Sequence, residues 1–348
     1  MLGKDFSRFT EDNPETPEDL LNMWTAKLEN PERIDEEFET LHEEREAWVR
    51  KKEEQIGGSL IKLENPEEQF DSSIHTLDET RAGPASNFVL FKELIMAQAP
   101  FRHAFFDTVI GFLEMIEVNR VNQVVQLAVM APKMDVPTVQ YYAPSVTNFK
   151  RFGNYKLTTL ALHTCGNMEF RILELVNEET GSISTIRHYY FRGIEDGSVP
   201  SDLDEFIRFV RLLFEHHDRR TLVHCTAGVG RAGIFAVIFA FIWLIKNYGI
   251  YADVPRILAY IRTGRLDAVQ TASQYRFIYK ACFQFVNITD DFCNSLIDEY
   301  NKKIEESRKA CEATMARWNL EREEKNNNLD KTAKTVKIDA NYFMNMLK

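Results

Sequence analysis

The chain has 348 residues, 44% of them hydrophobic and 27% charged, with a net charge of −11. That is enough apolar material for a sizeable core, and the acidic balance argues against nucleic acid or an anionic membrane surface as partner. Five widely spaced cysteines, with no C-x-x-C pair, fit neither a disulfide framework nor a zinc site and point to a reducing compartment.

The N-terminus, MLGKDFSRFTEDNPETPEDL, is acidic and has no apolar stretch suited to a signal peptide. Residues 15–60 read as charged helix. Pro17 sits where a first turn tolerates proline, with Thr16 as its cap, and Gly57-Gly58 closes the run IDEEFETLHEEREAWVRKKEEQI. The charge runs at 35–55 and 303–325 read most simply as solvated helix faces, and either helical arm is a candidate partner-binding surface. From about residue 87 to 286 the texture is mixed α/β. Strands are predicted at 121–130, 158–163, 169–176, 182–191 and 221–224, and helices at 104–117, 203–216 and 254–263. The most apolar run, 233–245 (GIFAVIFAFIWLI), is shorter than the roughly 20 residues of a membrane span and reads as a buried helix. A soluble, cytoplasmic protein is therefore expected. After 286 the chain reads as charged helix to about 324 and then as a flexible tail, with Tyr342, Phe343 and Met346 as its docking residues. The expected organisation is an N-terminal helical extension at 1–60, one catalytic-type domain at 61–287, and a C-terminal helix and tail at 288–348. His216-His217, beside Asp218, reads as a helix-end pair and not as a metal site, and no other residues have zinc-site spacing.

The chemistry concentrates in VHCTAGVGRAG, residues 223–233. An apolar strand delivers Cys225, and six positions later Arg231 opens the buried helix. Gly228 and Gly230 permit backbone angles closed to other residues, so successive N–H groups can turn inward as an anion cradle. The helix directs its positive end at the same point, and the planar fork of Arg231 matches two phosphate oxygens. These fields stabilise a negatively charged sulfur, the nucleophilic form of cysteine. The plain alternative is a buried structural cysteine with Arg231 in a surface salt bridge. The coincidence of all these residue types at one strand-to-helix turn favours the phosphate site.

That segment resembles the H-C-x-x-G-x-x-R-[ST]-G signature of the tyrosine-specific protein tyrosine phosphatase family. Further matches follow in the family's order: LDETR at 77–81, AQAP at 97–100, FFDTVIGFLEMI at 105–116, QYYAP at 140–144, HYYF at 188–191 and VQTASQYRFIY at 269–279. The resemblance implies an α/β fold with a highly twisted mixed sheet flanked by helices. It implies catalysis by Cys225, Arg231, Asp196, Gln270 and Gln274, with Thr226, Ala227, Gly228, Val229, Gly230 and Arg231 binding the phosphate of a phosphotyrosine-containing protein. Cys225 attacks phosphorus, Asp196 in RGIEDGSVP protonates the leaving oxygen with Glu195 as the fallback acid, and Gln270 and Gln274 place the hydrolytic water. No metal or organic cofactor is implied.

The chain departs from the family pattern in several places. Ile194 and Glu195 replace the tryptophan and proline of W-P-D. Ala232 replaces the hydroxyl residue that bonds the cysteine sulfur, a loss of about 1.5–3 kcal/mol, or a roughly ten- to hundredfold slowdown. EQFDSS stands where N-R-Y is expected, with Asp71 at the tyrosine position and Phe70 beside it. APKMDVPTV lacks the expected Glu and Lys, leaving Lys133 and Asp135. The implied function is a phosphotyrosine phosphatase of reduced activity, with a phosphotyrosine-binding pseudophosphatase as the rival.

Overall fold

Alternating and continuous apolar runs between residues 81 and 225 assemble into one mixed sheet. The computed structural model describes residues 6–10, 16–56, 77, 80–102, 107–128, 138–215 and 220–287. Expectations on Phe70, Asp71, Lys133, Asp135, His216-His217 and everything beyond 287 lie outside those residues.

In chain order the strands are β1 (Arg81–Gly83), β2 (Ser86–Val89), β3 (Leu94–Gln98), β4 (Val121–Gln126), β5 (Phe149–Phe152), β6 (Tyr155–Cys165), β7 (Met168–Asn177), β8 (Ile183–Phe191) and β9 (Arg220–Cys225). Their order across the sheet is β1-β2-β3-β9-β4-β8-β7-β6-β5. The four central strands, β3, β9, β4 and β8, run parallel, and the flanks are antiparallel. Parallel strands are covered on both faces, and every residue of β3 and β4 is buried.

One face carries α5 (Leu203–Glu215), α6 (Gly230–Tyr248), α7 (Val254–Arg262) and α8 (Ala272–Asn287). The other carries α4 (Val109–Val118), with Phe112, Leu113 and Ile116 against the sheet. α6 is the apolar run read from the sequence, extended at both ends. It is long and apolar enough to cross a membrane by composition, yet most of it is buried inside the fold. Gly249, at φ +66°, ends it by donating to the Ile245 carbonyl at 2.9 Å.

The predicted boundaries shift by a few residues. α4 runs from Val109, with Asp107 accepting from the Val109 N–H at 2.9 Å just ahead of it, and residues 104–106 of the predicted helix lie outside the described residues. The strand expected over 121–130 stops at Gln126, whose side chain folds back to donate to the Ala128 carbonyl at 2.8 Å. β1, β2, β3 and β5 were not among the predicted strands.

The N-terminal charge run forms α1 (Ser7–Thr10), α2 (Pro17–Leu28) and α3 (Pro31–Ile56). Thr16 caps α2 as expected, accepting from the Asp19 N–H at 3.1 Å. These helices are not solvated all round. Phe9, Leu20, Trp24, Ile34 and Phe38 join the core around α6. Glu37 turns inward and accepts from the Tyr275 and Tyr279 hydroxyls, both at 2.6 Å, and from Lys27 at 2.6 Å. The Trp24 indole N–H donates to Asp253 at 2.7 Å.

A buried polar chain lies under the sheet's C-terminal end. The Tyr141 hydroxyl meets His224 Nε2 at 3.0 Å and His188 Nε2 at 2.9 Å. One imidazole accepts from the hydroxyl and the other donates to it, so the two rings carry opposite tautomers. Burial pushes His224 down to about 3 and His188 well below its ordinary range, with Arg171 adding to the latter. Both rings are neutral.

Trp24 is fully buried, so Trp24→Ala is expected to cost about 3–5 kcal/mol, read as a lower urea midpoint. Acid also destabilises the fold through the histidines. Between the unfolded value near 6.5 and about 3 at His224, the unfolded chain binds protons that the folded chain refuses. Each imidazole then removes up to about 1.4 kcal/mol of stability per pH unit of acidification. The melting temperature should fall from pH 7 to pH 4, and His188→Gln should flatten that slope.

Candidate active site

β9 ends at Cys225, which is buried beside the end of β3, with Gln98 as its register partner. The chain then turns sharply. Gly228 adopts φ +75°, and a Cβ there would lie 2.3 Å from the Ala97 carbonyl oxygen, so both the angle and the close approach require glycine. This turn lets the Gly228 N–H donate to Cys225 Sγ at 3.2 Å. α6 starts two residues later and directs its positive end into the loop.

The loop carbonyls point the other way. Those of Cys225 and Thr226 accept from the Ala99 N–H at 2.9 and 3.1 Å, and that of Val229 accepts from the N–H groups of Gly233 and Val269 at 2.8 and 3.2 Å. Arg265 takes the two between. It is fully buried and donates to Ala227 O at 3.0 Å, Gly228 O at 3.2 Å and Asn87 Oδ1 at 2.9 Å. Burial lowers its guanidinium to about 10, opposed by Asp267 and Cys225. Asn87 in turn donates to Leu77 O at 2.8 Å and Thr80 Oγ1 at 3.0 Å, tying the LDETR segment to the loop.

Neither Asn87 nor Arg265 was expected from the sequence. The only signal was RTGRLD, an arginine-rich turn just before the glutamine segment.

Arg231 is 4% exposed and donates to Thr226 Oγ1 at 2.6 Å and to Asp196 Oδ1 at 2.5 Å. Asp196, not its neighbour Glu195, makes this contact. Its side chain is 77% exposed on the loop 192–202. Gly197 gives that loop its turn at φ +71°, with the Ser198 N–H donating to Glu195 O at 3.2 Å. Ile194, where the family has tryptophan, is buried in the main core. The start of the loop and the first turn of α5 after it both reach the β6–β7 turn: the Arg192 N–H donates to Asn167 O at 2.8 Å, and Glu205 accepts from the Asn167 N–H at 2.8 Å.

Gln270 and Gln274 come together. The Gln270 N–H donates to Gln274 Oε1 at 2.9 Å. A Cβ on Gly230 would lie 2.5 Å from Gln270 Oε1 and 3.0 Å from Gln274 Nε2, so both amides face the cradle's last residue. Gln274 Nε2 is buried and without a hydrogen-bond partner. Between Arg265 and Gln270, Val269 holds φ +63°, a strained value for a β-branched residue. Ala232 is fully buried and brings no hydroxyl to the sulfur. Among the described residues no group of three or more His, Cys, Asp or Glu is placed to hold a metal.

The structure thus brings Cys225, Thr226, Ala227, Gly228, Val229, Gly230, Arg231, Asp196, Gln270 and Gln274 to one place. The family model described as Protein-tyrosine phosphatase matches residues 85–284, more than half of the chain. Tyrosine-protein phosphatase non-receptor type 20 of Mus musculus is 27% identical over 176 residues, 50% of this chain and 41% of that protein. Phosphatidylinositol phosphatase PTPRQ of Rattus norvegicus is 27% identical over 220 residues, 62% of this chain and 9% of that protein. Tyrosine phosphatase-like protein J1 of Microplitis demolitor bracovirus (isolate Webb) is 26% identical over 215 residues, 57% of this chain and 69% of that protein. The chain therefore spans less than half the length of the first two. A matching domain, the mixed sheet and low identity to each relative lead to one conclusion: the chain is a divergent member of the protein-tyrosine phosphatase family.

Proposed function

We propose that this chain hydrolyses phosphotyrosine in a partner protein through a phosphocysteine intermediate, at reduced speed. The observation that carries the proposal is the contact of Arg231 with Asp196 beside the loop that holds Cys225. An anion-binding fork, a nucleophile and an acid then share one site.

The phosphate displaces Asp196 from the fork and is held by Arg231 and the N–H groups of residues 226–230. Cys225 Sγ forms a bond to phosphorus as the bond to the tyrosine oxygen breaks. That oxygen leaves with the proton of a protonated Asp196 carboxyl, which becomes the carboxylate. Water set by Gln270 and Gln274 then attacks phosphorus and gives a proton back to Asp196, and the sulfur departs as thiolate. The loop N–H groups stabilise the equatorial oxygens in both steps. The segment 226–230 contains no lysine, which supports a phosphotyrosine over a polyanionic phosphoinositide substrate. A cytoplasmic location belongs to the same proposal, supported by widely spaced cysteines with no C-x-x-C pair.

Ala232 and Ile194, both buried, favour a second reading, a pseudophosphatase that keeps the cradle and binds phosphotyrosine without efficient turnover. Rapid-quench hydrolysis of a phosphotyrosyl peptide separates the two. The proposed enzyme gives a product burst and then slow turnover. Cys225→Ser abolishes both phases, and Asp196→Ala slows the burst. Ala232→Ser accelerates the steady phase roughly ten- to hundredfold. Turnover by the unaltered chain no faster than by Cys225→Ser, with peptide binding retained, would establish the scaffold instead.

A further inference from the structure

The segment from Arg262 to Gln270 carries the supports of the site, and α3 holds it at two points. Arg262, at the end of α7, donates to Ala268 O at 3.1 Å and Val269 O at 3.2 Å, and also to Leu41 O of α3 at 3.0 Å. One turn further along α3, Arg45 reaches Asp267 at 2.7 Å. Both side chains are largely buried, Arg45 at 17% exposure and Asp267 at 11%. Asp267 thus anchors the stretch between Arg265, which holds the nucleophile loop, and Gln270, which faces Gly230.

Val269 makes that anchorage consequential. A β-branched residue at φ +63° persists only where its neighbours over-determine it. Val229 O holds its N–H, Arg262 holds its carbonyl, and Asp267 is fixed two residues before it. Releasing Asp267 removes one of the three constraints. Relaxation of Val269 towards an ordinary angle rotates the next peptide and carries the Gln270 amide away from Gly230.

We infer that Arg45 and Asp267 are positioning residues for the hydrolysis of the phosphocysteine: their ion pair, from the N-terminal helix to the 265–270 loop, sets the register in which Gln270 and Gln274 meet Gly230. The inference rests on the enzymatic reading proposed above. It assigns the N-terminal helix a part in the second step and none in the first.

The test compares the full chain with its Arg45→Met, Arg45→Lys and Asp267→Asn variants on p-nitrophenyl phosphate, well below each melting midpoint. The expected result is a retained nitrophenol burst with steady turnover lowered roughly tenfold in Arg45→Met and Asp267→Asn. Arg45→Lys, which keeps the charge, should retain most of the turnover. Steady turnover unchanged in Arg45→Met, whatever its melting temperature, overturns the inference and leaves the pair a stability element. If Asp267→Asn fails to fold, the two Arg45 variants decide. If the unaltered chain itself shows no turnover, the enzymatic reading falls separately, and the strut is judged by amide hydrogen exchange at residues 268–270. Faster exchange in Arg45→Met retains the strut, and unchanged exchange overturns it.

Discussion

A loop that turns its N–H groups inward must send its carbonyls outward, and buried carbonyls need donors. From Cys225 to Val229 five consecutive carbonyls face away from the cradle, and each has one: the Ala99 N–H for the first two, Arg265 for the next two, and the N–H groups of Gly233 and Val269 for the last. The loop is thus the inner surface of a hydrogen-bonded shell. β3 is positioned to supply Ala99, α6 to supply Gly233, and the segment after α7 to supply Arg265 and Val269. The protein's own hydrogen bonds therefore fix the loop's shape.

Charge is the second constraint, and it follows from the first. Using an arginine to donate to the carbonyls places a cation in the interior, where burial disfavours it. Arg262 lies close by under the same penalty and is also lowered to about 10. Asp267 offsets both guanidinium groups and is itself paired with Arg45 of α3. Two turns earlier on α3, Glu37 gathers Lys27, Tyr275 and Tyr279. The acidic and basic residues that look like surface decoration along 35–55 therefore include two whose partners lie deep in the fold.

Much of this was legible in the sequence. Cys225, the two glycines, Arg231 and the apolar run after it are neighbours along the chain, so their joint meaning can be read locally. Asp196, Gln270 and Gln274 were legible only through spacing relative to matching family segments, and geometry brings them to the same point. Arg265 and Asn87 escaped because their role is defined by carbonyls far away in sequence, which leave no pattern at their own positions. The short strands β1, β2 and β3 escaped for a different reason. Their burial is nearly uniform, so they lack the alternation that identifies a half-exposed strand. Glu37 and Arg45 were misread because an inward-facing charge every second turn does not alter the overall polarity of a charged helix.

The close approach of Gly228 to the Ala97 carbonyl has a bearing on how such a protein changes over time. Every backbone contact of the shell is shared between elements, so alterations there are penalised together. Among the described residues the departures from the family pattern fall instead on side chains that make none of those shell hydrogen bonds: Ile194 within the core, Glu195 in solvent, and the buried Ala232. Cohesion of the loop and the identity of the side chains around it are accordingly separable traits in this architecture. A lineage can exchange such side chains singly, in either direction, without rebuilding the shell.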